Sequence, residues 1–161
     1  MRLVSFSQED MDVLLNWVHS PELNHLWSGD RFTFPLDKYQ LSNHLICEEV
    51  TPMILHENGQ RFGYIELFRE SATTYRLCRV LIGEPSSRGK GHGRRMVELA
   101  IEHARTQLNA ENLKLTVFEH NRQARRCYES LGFEVYERKP GFVAANGESW
   151  TALYMKKVLT A

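Results

Sequence analysis

A glycine-rich segment that joins a strand to a helix constrains the fold of this chain more than any other feature. Residues 80–82 form a β-type run, Gly89, Gly91 and Gly93 follow at alternating positions, and an amphipathic helix comes directly after them. Glycines at such positions let the backbone approach a ligand closely and turn its N–H groups inward. The first helical turn adds unpaired N–H donors and the positive end of the helix dipole. The segment therefore predicts a binding site for a pyrophosphate.

Basic side chains surround this turn. They are Arg88, Lys90, Arg94 and Arg95. The spacing of the glycines fits neither a Walker loop, which needs GxxxxGK[ST], nor a dinucleotide fingerprint, which needs GxGxxG. The alternative is a basic turn that only caps a helix, and the segment by itself leaves both interpretations open.

The hydrophobic pattern predicts strands and helices along the rest of the chain. Period-two runs predict strands at 2–6, 53–56, 61–68, 75–82, 113–118, 133–138 and 149–158. Apolar residues at helical spacing predict helices at 11–18, 36–49, 96–108 and 121–131, with an irregular stretch at 19–35. This order predicts one α/β domain across 1–161. Its expected core is a central twisted sheet of about six to seven strands, mixed but largely antiparallel and flanked by helices.

Composition bounds the classes of function. Lys and Arg total 20 and Asp and Glu total 20, and this zero formal charge removes a general attraction for nucleic acid. The three cysteines form no CxxC pair, so we predict no metal site and no disulfide framework. The start of the chain lacks the pattern of a signal peptide, and no stretch approaches the roughly 18 apolar residues of a membrane span. The sequence therefore predicts a cytoplasmic protein without nucleic-acid or membrane partners.

Two motifs in the second half of the chain resemble those of a known enzyme family. The segment RGKGHG at 88–93 is similar to motif A of the GNAT superfamily of N-acetyltransferases, written R/Q-x-x-G-x-G/A. Downstream, NRQARRCYESLGF at 121–133 matches the superfamily's signature N-x-x-A-x-x-x-Y-x-x-x-G-F, directly after a predicted strand. The likeness covers residues 61–158. The N-terminal third is compatible with the branch that includes the ribosomal-protein N-terminal acetyltransferases.

The resemblance implies a GNAT fold and an activity. The implied enzyme is an N-acetyltransferase that moves an acetyl group from acetyl-CoA, its co-substrate, to a primary amine of a small molecule or a protein N-terminus. In the family, backbone groups of the splayed strand bind the thioester and pantetheine, the turn binds the pyrophosphate, and the motif asparagine contacts the pantetheine. The implied acetyl-CoA-binding residues are Val80, Leu81, Ile82, Arg88, Gly89, Lys90, Gly91, His92, Gly93, Arg94 and Asn121. Asn121 also suits the simpler role of a helix N-cap.

The resemblance implies a general acid but leaves the general base open. Tyr128 is the implied acid that returns a proton to the CoA thiolate; its alternative role is that of a core aromatic. Some relatives carry a glutamate base at the position held here by Thr116. Glu66 is our first substitute, Glu119 and His120 are others, and a water chain to solvent is equally allowed.

Two segments, 23–36 and 139–148, match the places where the acceptor enters in this family. The first mixes aromatic and acidic side chains that could hold an amine and its charge. The other segment has the composition of a mobile loop. The candidate substrate residues are Trp27, Asp30, Phe32 and Phe142. The alternative for the first segment is a hydrophobic lid over the core.

Two other functions compete with an amine acetyltransferase. A catalytically silent acyl-CoA-binding sensor is favoured by Thr116 at the position of the carboxylate and opposed by the presence of Tyr128. An RNA-modifying acetyltransferase would need more basic surface than a neutral chain offers. The long final strand could pair across a homodimer.

Overall fold

A seven-stranded sheet forms the centre of the protein, whose computed structural model describes residues 1–83 and 89–159. The strands are β1 (Arg2–Ser5), β2 (Val50–Glu57), β3 (Gln60–Arg69), β4 (Thr74–Ile82), β5 (Asn112–Phe118), β6 (Glu134–Val143) and β7 (Ser149–Val158). The helices are α1 (Met11–Trp17), which follows a 3-10 turn (Gln8–Asp10), α2 (Pro21–Ser28), α3 (Lys38–Leu45), α4 (His92–Gln107) and α5 (Arg122–Ser130).

The strands follow the order β1-β2-β3-β4-β5-β7-β6. All neighbours are antiparallel except β4 and β5, which run parallel. The predicted mixed, largely antiparallel sheet flanked by helices is confirmed. Residues 74–77 of β4 pair with 112–115 of β5, and beyond this short ladder the two strands separate. This separation opens a cleft in the middle of the sheet.

Alternating side chains bury both faces of the sheet. On β2, Met53 and Leu55 pack with α4 and α5 on one face, while Ile54 packs with α1, α2 and α3 on the other. The predicted apolar stripe of α4 supplies the first layer, since Met96 and Ala100 have no exposed surface. The helices therefore cover the sheet on either side of the cleft.

The irregular stretch predicted at 19–35 contains a helix, α2. The Ser20 side chain accepts a hydrogen bond from the backbone N–H of Leu23 at 3.1 Å, and Pro21 occupies the first helical turn. Proline is favoured there because its fixed φ suits the helix and its missing N–H has no helical partner. Pro21 thus begins α2, whereas the sequence pattern indicated only the end of α1. This helix places Trp27 against β4.

Half of the loop predicted at 139–148 is strand. Strand β6 continues to Val143, and its pairing with β7 shifts register between Lys139 and Phe142. Pro140 cannot donate a ladder hydrogen bond, and a bulge of this kind accommodates it within an edge strand. The connection between the last two strands is therefore shorter than predicted, at 144–148, because the pattern of residues 139–143 hid a strand interrupted by a bulge.

Candidate active site

A cavity of about 570 Å³ lies where β4 and β5 separate. Helix α2, the glycine turn before α4, and α5 complete its wall. Ten of the predicted site residues line it: Trp27, Val80, Leu81, Ile82, Gly89, Gly91, Gly93, Arg94, Asn121 and Tyr128. The two sequence motifs, separated by about thirty positions, therefore meet in one cavity.

A β-bulge in β4 shapes the wall of this cavity. Glu66 pairs with Cys78 and Tyr64 pairs with Leu81, so two residues of β4 face a single residue of β3. Arg79 absorbs the extra length with a φ of 51°, a left-handed conformation uncommon for a side-chain-bearing residue. Trp27 fixes this backbone, since its indole N–H donates to the Arg79 carbonyl at 2.8 Å. The bulge turns β4 away from β5 at the cleft.

The glycine turn adopts the geometry that a phosphate site needs. Gly89 and Gly91 have φ values of 75° and 81°, and Gly91 is the N-cap of α4. A Cβ at either position would meet no atom of the described residues within 4 Å, and the backbone conformation itself favours glycine there. The turn lies at the N-terminus of a sixteen-residue helix. The described part of this turn fits the pyrophosphate of CoA.

The remaining predicted turn residues occupy different surroundings. Arg88 lies outside the described residues. Lys90 is exposed and does not line the cavity. The His92 ring packs against Phe62 at 4.9 Å between centroids, which leaves the His92 backbone for contact with a phosphate. Of the basic side chains predicted around the glycine turn, Arg94 is the one that the described structure places on the cavity wall.

Asn121 and Tyr128 both belong to the segment that forms α5. The Asn121 side chain caps this helix by accepting from the Ala124 N–H at 3.4 Å, and the residue also lines the cavity. Tyr128 is 7% exposed, and burial raises the pKa of its hydroxyl. Within residues 1–83 and 89–159 the hydroxyl has no hydrogen-bond partner. Tyr128 is thus a protonated group at the cavity wall, available to a ligand.

Glu66, the predicted base, lies behind the cavity wall. It is fully buried and accepts hydrogen bonds from His44 Nε2 at 2.9 Å, Tyr64 hydroxyl at 2.5 Å and Arg79 Nε at 2.7 Å. Burial alone would raise its pKa, but the His44 hydrogen bond and the Arg79 charge hold the pKa of this carboxyl below its usual value. A carboxylate with its oxygens engaged and a lowered pKa is a weak base, so these contacts oppose the predicted base role.

Glu66 should instead stabilise the fold, and Glu66→Gln tests this. The variant leaves the Arg79 guanidinium buried without its anion, so we expect a loss of about 3 kcal/mol in unfolding free energy at about pH 7. Because the folded pKa is lowered, this contribution is complete above the unfolded pKa and fades as pH falls through the folded pKa. Urea unfolding of wild type and variant should therefore give a difference in unfolding free energy that stays constant down to about pH 4.3 and narrows at lower pH.

An exposed pair supplies the control for this prediction. Glu119 binds Arg138 through two hydrogen bonds on the surface. Glu119→Gln should cost less than about 1 kcal/mol, because exposed ion pairs contribute little. An equal loss in both variants, or a Glu66→Gln difference that stays constant below about pH 4.3, contradicts the assignment.

Three of the four predicted substrate residues do not line the cavity. Asp30 is exposed, so it offers no charge to a ligand there. Phe32 is 3% exposed and packs against Trp27 and His44 in the core, which matches the alternative of a hydrophobic lid. Phe142 lies beside the cavity, where its ring stacks on Trp150. Trp27 is the one that forms part of the cavity wall.

The sequence pattern missed several side chains that the structure places on the cavity wall: Arg76, Cys78, Arg79 and Phe118. Arg76 donates to the Thr116 hydroxyl at 2.9 Å, across the widening gap between the strands. The alternation of β4 was the available signal, because Arg76 and Cys78 point opposite to the buried Tyr75 and Leu77. The bulge at Arg79 carries no such signal.

Neither a metal centre nor a membrane-spanning helix is found among the described residues. No group of three or more His, Cys, Asp or Glu side chains in this part of the chain is arranged to hold a metal ion. No helix there has the length and apolar character needed to cross a membrane. The absence of a metal from the reaction stays a prediction.

Comparison with known proteins decides the family. The sequence profile of the acetyltransferase (GNAT) family matches residues 9–133, more than half of the chain. The chain belongs to the acetyltransferase (GNAT) family. Acetyl-CoA-dependent transfer of an acetyl group to an amine is the activity of this acetyltransferase. The GNAT resemblance seen in the two motifs is confirmed.

Relatives of this acetyltransferase include enzymes named for small amines. The aminoglycoside N(6')-acetyltransferase type 1 of Klebsiella pneumoniae is 26% identical over 142 residues, covering 80% of this chain and 71% of the relative. The spermidine N(1)-acetyltransferase of Escherichia coli is 28% identical over 146 residues, covering 88% and 78%. The branch of ribosomal-protein N-terminal acetyltransferases stays a prediction.

A solved structure shares the fold of this acetyltransferase. The spermidine N-acetyltransferase of Vibrio cholerae, in complex with CoA and spermine, superposes with a TM-score of 0.83 at 20% identity. The match covers 98% of this chain and 94% of that one. At this level of identity the likeness shows the fold alone.

Proposed function

We propose that residues 1–161 act as one domain that acetylates the primary amine of a small molecule in the cytoplasm. The observation that carries this proposal is the meeting of the glycine turn, the splayed strand and Tyr128 in one cavity of about 570 Å³. The relatives named for aminoglycosides and spermidine support a small acceptor. The three cysteines are free, as in a reducing compartment. Homodimer formation stays a prediction.

Acetyl-CoA would bind along the cleft in a single orientation. The N–H groups of Gly91 and the first turn of α4 face its pyrophosphate, and Arg94 adds charge there. The edge of β4 beyond Leu77, which no longer pairs with β5, offers backbone groups to the pantetheine amides. Asn121 lines the cavity on the opposite side. When bound, acetyl-CoA supplies an acetyl group activated as a thioester.

Tyr128 supplies the proton that the leaving sulfur needs. The amine nitrogen forms a bond to the acetyl carbon, the carbon–sulfur bond breaks, and the sulfur takes the Tyr128 proton as it leaves. The proton that the attacking nitrogen loses then restores the Tyr128 hydroxyl through water. Burial raises the pKa of Tyr128. The same surroundings disfavour a thiolate, so the pKa of the CoA thiol is raised together with that of the tyrosine. The tyrosine therefore remains a usable donor inside the cavity.

The proton of the acceptor amine leaves through water in this proposal. The described residues that line the cavity include no Asp, Glu or His. An ammonium of pKa about 10.4 must lose a proton before it can attack, so the neutral fraction of the amine sets the rate. This replaces the carboxylate base expected from Glu66 with the water chain that the sequence left open.

Direct attack by the amine is favoured over transfer through the protein. Two thiols line the cavity: Cys127 on α5, whose pKa is raised by burial, and Cys78 at the bulge, whose pKa burial raises to about 11. The thiolate is the nucleophilic form of cysteine, so these thiols are unreactive near neutral pH. An acetylated cysteine is therefore not part of the proposed reaction.

A product assay tests the proposed function. The protein is incubated with acetyl-CoA and a panel of small amines and N-terminal peptides, and products are identified by mass spectrometry. We expect an N-acetylated small amine, formed with one CoA thiol for each acetyl group transferred. If the peptides are acetylated and none of the small amines is, the proposal of a small-molecule acceptor is contradicted.

A further inference from the structure

The positive charge of the cavity wall restricts which acceptors can bind. Among the described residues that line the cavity, the charged side chains are Arg76, Arg79 and Arg94, and none is acidic. Arg94 belongs to α4 at the glycine turn, on the side proposed for the CoA phosphates. Arg76 and Arg79 lie on β4, at the end where the strands part and the acetyl group would be presented. The acceptor therefore enters a region lined by two guanidinium groups.

Each of the two arginines on β4 is paired with a carboxylate that lies outside the cavity wall. Arg76 Nε donates to Glu70 and Arg79 Nε donates to Glu66, each at 2.7 Å. Neither glutamate lines the cavity. The Nε positions are thus occupied, Arg76 Nη1 binds Thr116, and Arg76 also hydrogen-bonds the Tyr136 side chain. A guanidinium has five N–H donors, so both cavity-lining arginines have donors beyond these bonds. Each pair presents its positive side to a ligand.

This arrangement disfavours a polycationic acceptor. Spermidine and aminoglycosides carry several ammonium groups, which need carboxylates close by and are repelled by guanidiniums. The relatives named for these substrates are therefore a poor guide to the acceptor of this chain. A guanidinium fork matches a carboxylate, which it binds with two parallel hydrogen bonds.

We infer that the acceptor is a primary amine that also carries a carboxylate, which Arg76 binds with support from Arg79. The inference rests on the proposed function and narrows its substrate class to amino-acid-like amines. Apolar side chains form the rest of this end of the cavity: Leu23, Leu26, Trp27 and Phe118. They suit an apolar or aromatic body attached to the same carbon skeleton.

The same guanidiniums also assist the chemistry. Positive charge near a bound ammonium favours its neutral form and so lowers the pKa of the amine. A cavity without a carboxylate base gains from this effect, because a larger fraction of bound acceptor is ready to attack. Binding of the acceptor carboxylate and deprotonation of its amine thus use one pair of side chains.

Matched pairs of amines test the inference. The experiment measures kcat/KM for amino acids with apolar side chains, each paired with its decarboxylated amine, and for spermidine, all corrected to the fraction of free amine. Each accepted amino acid should exceed its decarboxylated partner by about tenfold or more. Arg76→Gln should lower kcat/KM for the amino acid by about tenfold more than for its decarboxylated partner, so the preference for the carboxylate is lost.

A matched arginine supplies the control. Arg138 also pairs with a glutamate, Glu119, but lies outside the cavity, so Arg138→Gln should keep the full preference. A preference that is unchanged in Arg76→Gln overturns the assignment of the carboxylate to this side chain. If spermidine or the decarboxylated amines react as well as every amino acid, the inference is overturned. The proposed function would still stand. If none of the amines causes release of CoA thiol, the proposed function itself is contradicted.

Discussion

Gly91→Val should lower the affinity for acetyl-CoA by about 100-fold or more while the protein stays folded. Gly91 has a φ of 81° at the N-cap of α4, and no atom of residues 1–83 or 89–159 would lie within 4 Å of a Cβ there. A valine side chain would fill the place of the pyrophosphate, and its branched Cβ would strain the backbone that directs the N–H groups. Calorimetric titration with acetyl-CoA measures the affinity.

Gly59→Val separates loss of binding from backbone strain. Gly59 has a φ of 80°, and a Cβ there would likewise meet no atom of the described part of the chain within 4 Å, but it lies in the turn between β2 and β3. Both variants should lose a similar free energy of unfolding, of about 1–2 kcal/mol. Only Gly91→Val should lose affinity. Retained affinity in Gly91→Val contradicts the assignment of the glycine turn to the CoA phosphates.

Tyr128→Phe should lower kcat by about 100-fold or more, with the dissociation constant of acetyl-CoA changed by less than about threefold. The phenylalanine keeps the ring that packs against Phe133 and removes only the hydroxyl at the cavity wall. Loss of the proton donor makes the sulfur leave as a thiolate in surroundings that disfavour charge. Steady-state release of CoA thiol measures kcat.

Tyr75→Phe is the matched control for this variant. Tyr75 is buried to a similar extent in the same core layer but does not line the cavity. Its kcat should stay close to that of the wild type. An unchanged kcat in Tyr128→Phe removes the tyrosine from the mechanism, and an equal loss in both variants shows a packing effect.

The features predicted well from the sequence depend on local pattern. The stripe of α4 repeats at helical spacing, and Asn121 caps α5 as its residue type favours. The glycine turn has the positive φ values that its glycines allow. The meeting of the two motifs in one cavity was expected only from resemblance, because no local rule joins residue 91 to residue 128.

The features that were missed depend on tertiary contacts. Arg79 takes a positive φ because Trp27 and Glu66, distant in sequence, hold its backbone and side chain. In the sequence, Glu66 is indistinguishable from an ordinary strand carboxylate, because its three hydrogen-bond partners come together only in the fold. The cationic wall formed by Arg76 likewise follows from where β4 and β5 part, which no single-strand pattern specifies.

Release of CoA thiol on addition of an amine, in a sample already titrated with acetyl-CoA, tests the central claim most directly. The account predicts that acetyl-CoA binds at micromolar concentration and that thiol appears only after an acceptor is added, in equal amount to the N-acetylated product. Binding without release for any amine would instead indicate an acyl-CoA sensor, and an absence of binding would contradict the assignment of the cavity.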